Sequence, residues 1–272
     1  MIFDINELIL NTEDYDFSHF AHQGFGGRTK YIATPKKSGL PKLLIKHKGE
    51  FAPPCNTFVY GRIGQLAGVR TPKTFLMNVT ENDKHLFESP CVVGIEFIDG
   101  FVPPEKHMQT IKGNRTLEKE FVDCFTLFAL FTEFEDNLQC AYVPDQAVYP
   151  LDFDESFGLR NGTFHSILYD GDAAEVLVKN SLQAGLRHAL ERYEKISIEL
   201  AAESLNVSTE YAMVFCLETL QRFCNLTEAE IASVTDALME FFPPLLAVYY
   251  EEYIHILQKK ADAYIAKNRI SG

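Results

Sequence analysis

Tryptophan is missing from this 272-residue sequence, basic residues are scarce, and no apolar run approaches the length of a membrane span. Each shortage removes a class of function. Lysine and arginine number 25 against 38 aspartates and glutamates, a formal net charge of −13. A chain with that balance is not built to neutralise nucleic-acid phosphates or to lie on anionic lipid. Without a stretch of roughly 20 apolar residues, no membrane-spanning helix is expected. The opening segment MIFDINELILNTEDYDF carries acids where a secretory leader needs a cationic flank. No signal peptide is therefore expected, and the protein reads as cytoplasmic. The cysteines at 55, 91, 124, 140, 216 and 224 form no CxxC pair, which fits reduced thiols. The eight histidines show no metal-ligand spacing. Ser156 lacks the flanks of a nucleophile elbow.

What is present reads as an α+β protein. Hydrophobic residues make up 46% of the chain and charged residues 23%, enough apolar material for a substantial core. The first half is rich in glycine, proline and short alternating segments, and from about Leu182 the pattern is helical almost throughout. LLIKHK over 43–48 reads as a strand, followed by a helix starting near Asn56 and closing at Gly68, a left-handed cap position. TFLMNV and CVVGIEFI read as two further strands, and Leu117–Thr132 as a buried helix. Residues 140–154 fold naturally as a tight hairpin, and 159–178 read as irregular. Helices are expected over 182–204, 208–223, 227–241 and 244–267, with Asn206–Ser208 and Asn225–Thr227 as breaks and caps.

The chemistry concentrates in FEDNLQCAYVPDQAVYPLDFDESFG, residues 134–158. Phosphoryl transfer from ATP needs a glycine-rich turn over the phosphates, a strand lysine to neutralise them, and two carboxylate positions. One carboxylate orients the acceptor hydroxyl and the other holds Mg²⁺. This chain offers a candidate for each part in that order. GFGG, with Gly24, Gly26 and Gly27, is the turn; Lys46 is the strand lysine. Glu135 and Asp136 stand on the acceptor side, and Asp154 is the metal acid. A hairpin between them would return both acidic clusters to one rim, where they repel unless a cation bridges them. The same stretch also reads as a plain hairpin with solvated acids at its ends.

The ordered set resembles the HipA-like and CtkA-like bacterial kinases, a branch of the protein-kinase superfamily. The likeness spans roughly residues 20–265 and rests on GFGG, LLIKH, QLAGVRTPKTFLM, CVVGIEFIDG, FALFTEFEDNLQC and YPLDFDESFG. It implies a protein-kinase-like bilobal fold, with a strand-rich N-lobe over 1–100 and a helical C-lobe over 101–272 that carries the 134–158 hairpin. It implies ATP and Mg²⁺ as cofactors, with a protein Ser or Thr hydroxyl as acceptor. Lys46 would contact the phosphates, and the backbone of Gly94, Ile95 and Glu96 would meet adenine. Asp154 would bind Mg²⁺, helped by Asp152.

The departures are specific. The family's acceptor-side Asp falls on Glu135 and its metal-binding Asn on Cys140. Asp136 and Asn137 lie one step away, placed to substitute after a small loop shift. A thiol is a poor ligand for a hard ion. The helix Glu that pairs with the lysine falls near Thr57, with Asn56 beside it, so that salt bridge is missing. The alternative is a kinase-fold pseudoenzyme that binds nucleotide or a partner protein without transfer.

Overall fold

A computed structural model describes residues 1–20, 29–47, 54–87, 89–100, 102–131, 139–144, 146–151, 156–157, 159, 161–169, 176, 178–180, 182–183 and 197–269. Its N-terminal part is a six-stranded sheet. The strands are β1 (Ile9–Asn11), β2 (Tyr15–His19), β3 (Thr29–Pro35), β4 (Leu43–His47), β5 (Thr74–Asn78) and β6 (Cys91–Glu96), in the spatial order β1-β5-β6-β4-β3-β2. Every neighbouring pair is antiparallel except β1 with β5. β1 is a three-residue strand, too short to leave a period in the sequence.

Alternation sorts the two faces. Tyr31, Ala33, Leu43, Ile45, Phe75, Met77 and Val92 share one buried cluster with Tyr15 and Phe87. On the other face, the helix α2 (Pro54–Leu66) lies against β5 and β6, where Cys91, Val93 and Leu76 join its Phe58, Val59 and Ile63. Gly68 closes α2 at φ +77°, the left-handed cap read from the sequence.

Past the sheet the described chain is largely helical: α3 (Met108–Ile111), α4 (Arg115–Phe131), α5 (Asn161–Tyr169), α6 (Ser197–Leu205), α7 (Thr209–Cys224), α8 (Glu228–Thr235) and α9 (Pro244–Arg269), with α1 (Ile5–Leu8) at the start of the chain. Between α4 and α5 stands the expected hairpin, β7 (Gln139–Val143) with β8 (Ala147–Leu151). Local chemistry sets the ends. Ser208 Oγ accepts from Tyr211 N at 3.2 Å to start α7, and Thr227 with Glu230 forms a reciprocal capping box on α8. α8 gives way to a 3-10 turn over Asp236–Glu240, so the single helix expected for 227–241 is two pieces.

One expectation fails outright. Residues 161–169 form a helix instead of an irregular segment. Asn161 and Gly162 disguise its start, but Ile167 is buried and the Phe164 ring meets Phe242 at 5.7 Å. Tertiary contact outweighs weak local propensity here. Among the described residues, no helix is long and apolar enough to cross a membrane.

Candidate functional site

The site is best built outward from α4. Its N-terminus is capped by Asn114 Oδ1, which accepts from Thr116 N at 3.1 Å and Leu117 N at 3.3 Å. Its acids are buried, an arrangement that requires partners. Glu118 accepts from Gly113 N at 2.8 Å and from the Tyr211 hydroxyl at 2.6 Å. Asp123 accepts from the Thr219 hydroxyl at 2.5 Å and pairs with Lys119 one turn earlier. Glu120 accepts from Val148 N at 3.0 Å and meets Arg70 Nε at 3.3 Å. Burial pushes the Asp123 and Glu120 carboxyls above the ordinary carboxylate range, and their cationic neighbours pull partly back. Glu120 thereby fixes β8, and with it the hairpin, to α4.

That hairpin stands between the two acid-bearing segments, and the described residues at their ends meet in pairs. Gln139 and Leu151 are cross-strand partners at the open end of the hairpin. At the far end Phe157 N donates to Phe131 O at 2.8 Å, and the two rings lie 5.0 Å apart. Segment 132–138 leaves from Phe131 and enters at Gln139; segment 152–155 leaves from Leu151 and enters towards Phe157. Both are thus attached at the same two places. Glu135, Asp136, Asn137, Asp152 and Asp154, expected as acceptor-side and metal residues, lie outside the described residues.

The Phe131–Phe157 joint is firmly seated. Phe131 packs edge-on against Tyr60 of α2 and Phe223 of α7, both at 5.5 Å. Phe157 packs against Tyr250 at 5.2 Å and Tyr253 at 5.5 Å, and its carbonyl accepts from the Tyr249 hydroxyl at 2.6 Å. Phe157 adopts φ +62°, an unusual conformation for a bulky residue, and the surrounding aromatic packing holds it there. None of this cage was singled out for a site role from sequence; Tyr249, Tyr250 and Tyr253 of the last helix are all fully buried.

On the sheet side, Lys46 is half-buried on β4 and lies directly opposite Lys30 of β3. Its strand is paired to β6 through Leu43–Glu96, Leu44–Ile95 and Ile45–Gly94. The expected adenine-side residues are therefore strand-mates of the expected phosphate lysine. Gly94 faces the buried cluster, since a Cβ there would meet Leu43 Cδ1 at 2.7 Å and Met77 Sδ at 3.0 Å. Ile95 shares the opposite face with Leu44 and Lys46. The Glu96 amide already donates to Lys73 O at 2.7 Å, so it is not available to an outside acceptor. Gly24, Gly26 and Gly27 lie outside the described residues.

Beside Thr57, near which the lysine-pairing Glu was expected, Asn56 is engaged with other elements. Asn56 Nδ2 donates to Leu159 O at 3.2 Å, and Asn56 Oδ1 accepts from the Tyr250 hydroxyl at 2.7 Å. The first turn of α2 is thereby tied to both the segment after Phe157 and the last helix. Cys140 is half-buried on β7, opposite Pro150.

A solved structure shares this fold. The crystal structure of the Helicobacter pylori proinflammatory kinase CtkA superposes with a TM-score of 0.52 over 93% of this chain and 95% of that one, at 13% sequence identity. The fold is kinase-like. A strand-rich N-terminal part and a helical C-terminal part make the two lobes of that kinase-like fold. No protein-family model matches the sequence, and no curated protein matches it significantly.

Proposed function

We propose that this protein is an ATP- and Mg²⁺-dependent phosphotransferase of the HipA-like kinase type, acting on a protein Ser or Thr hydroxyl. One observation carries the reading: the two acid-bearing segments are attached at the same two places, Gln139–Leu151 and Phe131–Phe157. The kinase-like fold supports it, with Lys46 on the strand beside Gly94–Glu96. The N-lobe would span 1–100 and the C-lobe 101–272.

In this reading the acceptor hydroxyl oxygen attacks the γ-phosphorus as the bond to the β,γ-bridging oxygen breaks, and ADP leaves. The hydroxyl proton passes to the carboxylate at Glu135 or Asp136. Lys46 and the turn at Gly24, Gly26 and Gly27 neutralise and cover the phosphates, and the 94–96 backbone lies at the adenine. Asp154, Asp152 and Asn137 carry the oxygen donors that Mg²⁺ prefers, whereas the Cys140 thiol does not suit it. Bound there, the ion would offset negative charge between the β- and γ-phosphates. The protein's own share is positioning and charge neutralisation.

A second reading is favoured by Asn56 and Cys140: a nucleotide-binding or partner-binding pseudoenzyme. Asn56 is committed to Tyr250 and Leu159, so α2 supplies no carboxylate at that turn to fix Lys46. Incubation of the purified protein with labelled ATP and Mg²⁺ or Mn²⁺, alone and with a generic protein acceptor, separates the two. Transfer that disappears in Lys46→Ala and Asp154→Ala sustains the enzyme. A nucleotide-dependent rise in melting temperature without transfer, unchanged by Cys140→Asn, sustains the binder.

A further inference from the structure

Spacing along two packed elements brings two cysteines together. Glu120 of α4 accepts from Val148 N of β8 at 3.0 Å, and α4 packs along that strand. One helical turn past Glu120 is Cys124; two residues past Val148 is Pro150, whose cross-strand partner on β7 is Cys140. Four helical residues and two strand residues advance the chain by nearly the same length, roughly 6 Å. The advance runs the same way on both, since α4 goes on to Phe131, β8 goes on towards Phe157, and those two are joined. Cys124 thereby reaches Cys140, and the two thiols are in side-chain hydrogen-bond contact.

The pair is asymmetric. Both cysteines are free thiols, but Cys124 is fully buried and Cys140 is half-buried, so of the two only Cys140 is reached from solvent. The other cysteines stand differently. Cys55, Cys91 and Cys216 are buried, and the half-buried Cys224 donates through Sγ to Gln258 O at 3.4 Å. A buried thiol beside a reachable one is the arrangement in which oxidation of the second is captured by the first.

We infer that Cys124 and Cys140 form a modification site: a disulfide pair that hydrogen peroxide closes and a thiol reductant reopens. The Cys140 thiolate attacks one peroxide oxygen; the O–O bond breaks, hydroxide leaves, and the sulfur becomes a sulfenic acid. The Cys124 sulfur then attacks the Cys140 sulfur, the S–O bond breaks, and the Cys124 proton leaves with the hydroxyl as water. With the proton that Cys140 gave up taken by hydroxide, two thiols and one peroxide become one disulfide and two waters. The bond ties the base of β7 to α4 and closes a covalent ring through residues 125–139, the stretch that carries Glu135, Asp136 and Asn137. The assignment stands on the two thiols and does not depend on phosphoryl transfer.

The test treats the folded full chain with hydrogen peroxide, then blocks the remaining thiols with iodoacetamide and maps linkages by peptide mass spectrometry. Wild type, Cys124→Ala and Cys140→Ser are compared. Wild type should yield a Cys124–Cys140 linked peptide, two hydrogens lighter than its reduced parts, at lower peroxide than any other linkage. Dithiothreitol should restore both thiols. Cys124→Ala should leave Cys140 as a sulfenic acid that dimedone traps, an adduct largely lost in wild type. Cys140→Ser should form no linkage at Cys124. A first linkage between any other two cysteines overturns the inference, and so does Cys140 of wild type oxidised without Cys124 attached, or left unoxidised. Equal dimedone trapping of Cys140 in wild type and Cys124→Ala also overturns it. The linkage map of wild type decides the matter even where a variant folds poorly.

Discussion

The Tyr250 hydroxyl donates a 2.7 Å hydrogen bond to Asn56 Oδ1, joining α9 to the first turn of α2 across 194 positions of sequence. Both residues are fully buried, so neither end can turn to water instead. The bond also lies against Cys55, whose thiol burial pushes up to about 12. The helix beside the sheet is thus held by the last helix, through an asparagine next to Thr57, the residue near which a lysine-pairing carboxylate was expected.

Tyr250→Phe removes the donor and leaves the Asn56 oxygen buried without it. The expected loss is about 1–3 kcal/mol, seen as a drop of roughly 2–10 °C in melting temperature. Calorimetry of the two proteins checks this. An unchanged midpoint would mean that the bond contributes nothing.

Phe157→Ala empties the centre of the aromatic cage formed by Phe131, Tyr250 and Tyr253. Large-to-small changes at such sites lose about 3–5 kcal/mol. The joint between the two acid-bearing segments loosens with it, so the phosphoryl transfer proposed above should fall further than stability does. Urea titration beside a transfer assay, both at a temperature where the variant is folded, separates the two effects.

Gly94→Ala adds a Cβ facing Leu43 Cδ1 at 2.7 Å and Met77 Sδ at 3.0 Å, too close for either to stay in place. Overpacking of this kind is worth about 1–3 kcal/mol of destabilisation. Met77→Ala in the same chain should recover part of the loss by opening room, which a double-mutant cycle measures.

Asp123 gives a pH signature. Its folded-state pKa is raised above the ordinary 3.8, chiefly by burial. Between the unfolded value and the raised folded value, the native state therefore binds more protons than the unfolded chain. Stability from this group is fully present below the unfolded pKa and is lost as pH rises through the folded one. Urea unfolding of wild type and Asp123→Asn from pH 4 to 7 should show the difference moving in favour of the variant as pH rises. A difference that is flat or moves the other way would show that Lys119 and Thr219 outweigh burial.

Much of the frame was legible in the sequence because its signals are local. Leu43 to His47 alternates, α4 carries a dense apolar pattern, Ser208 and Thr227 are caps, and the 139–151 hairpin has turn residues between its two strands. β1 and α5 were not legible: the first is three residues held by β5, and the second is stabilised by Phe242 from far along the chain.

The sequence by itself determined the α+β order of elements, the alternation that puts Lys46 on the face away from Ile45, and the helical run of the last segment. These follow from periods of two and 3.6 residues, which any chain prints locally. Only the tertiary structure decided that Lys30 faces Lys46, that Asn56 belongs to Tyr250, and that Phe157 closes onto Phe131. Register and long-range packing set those pairs. They join residues whose partners are chosen by the whole core, and no window of sequence contains both halves.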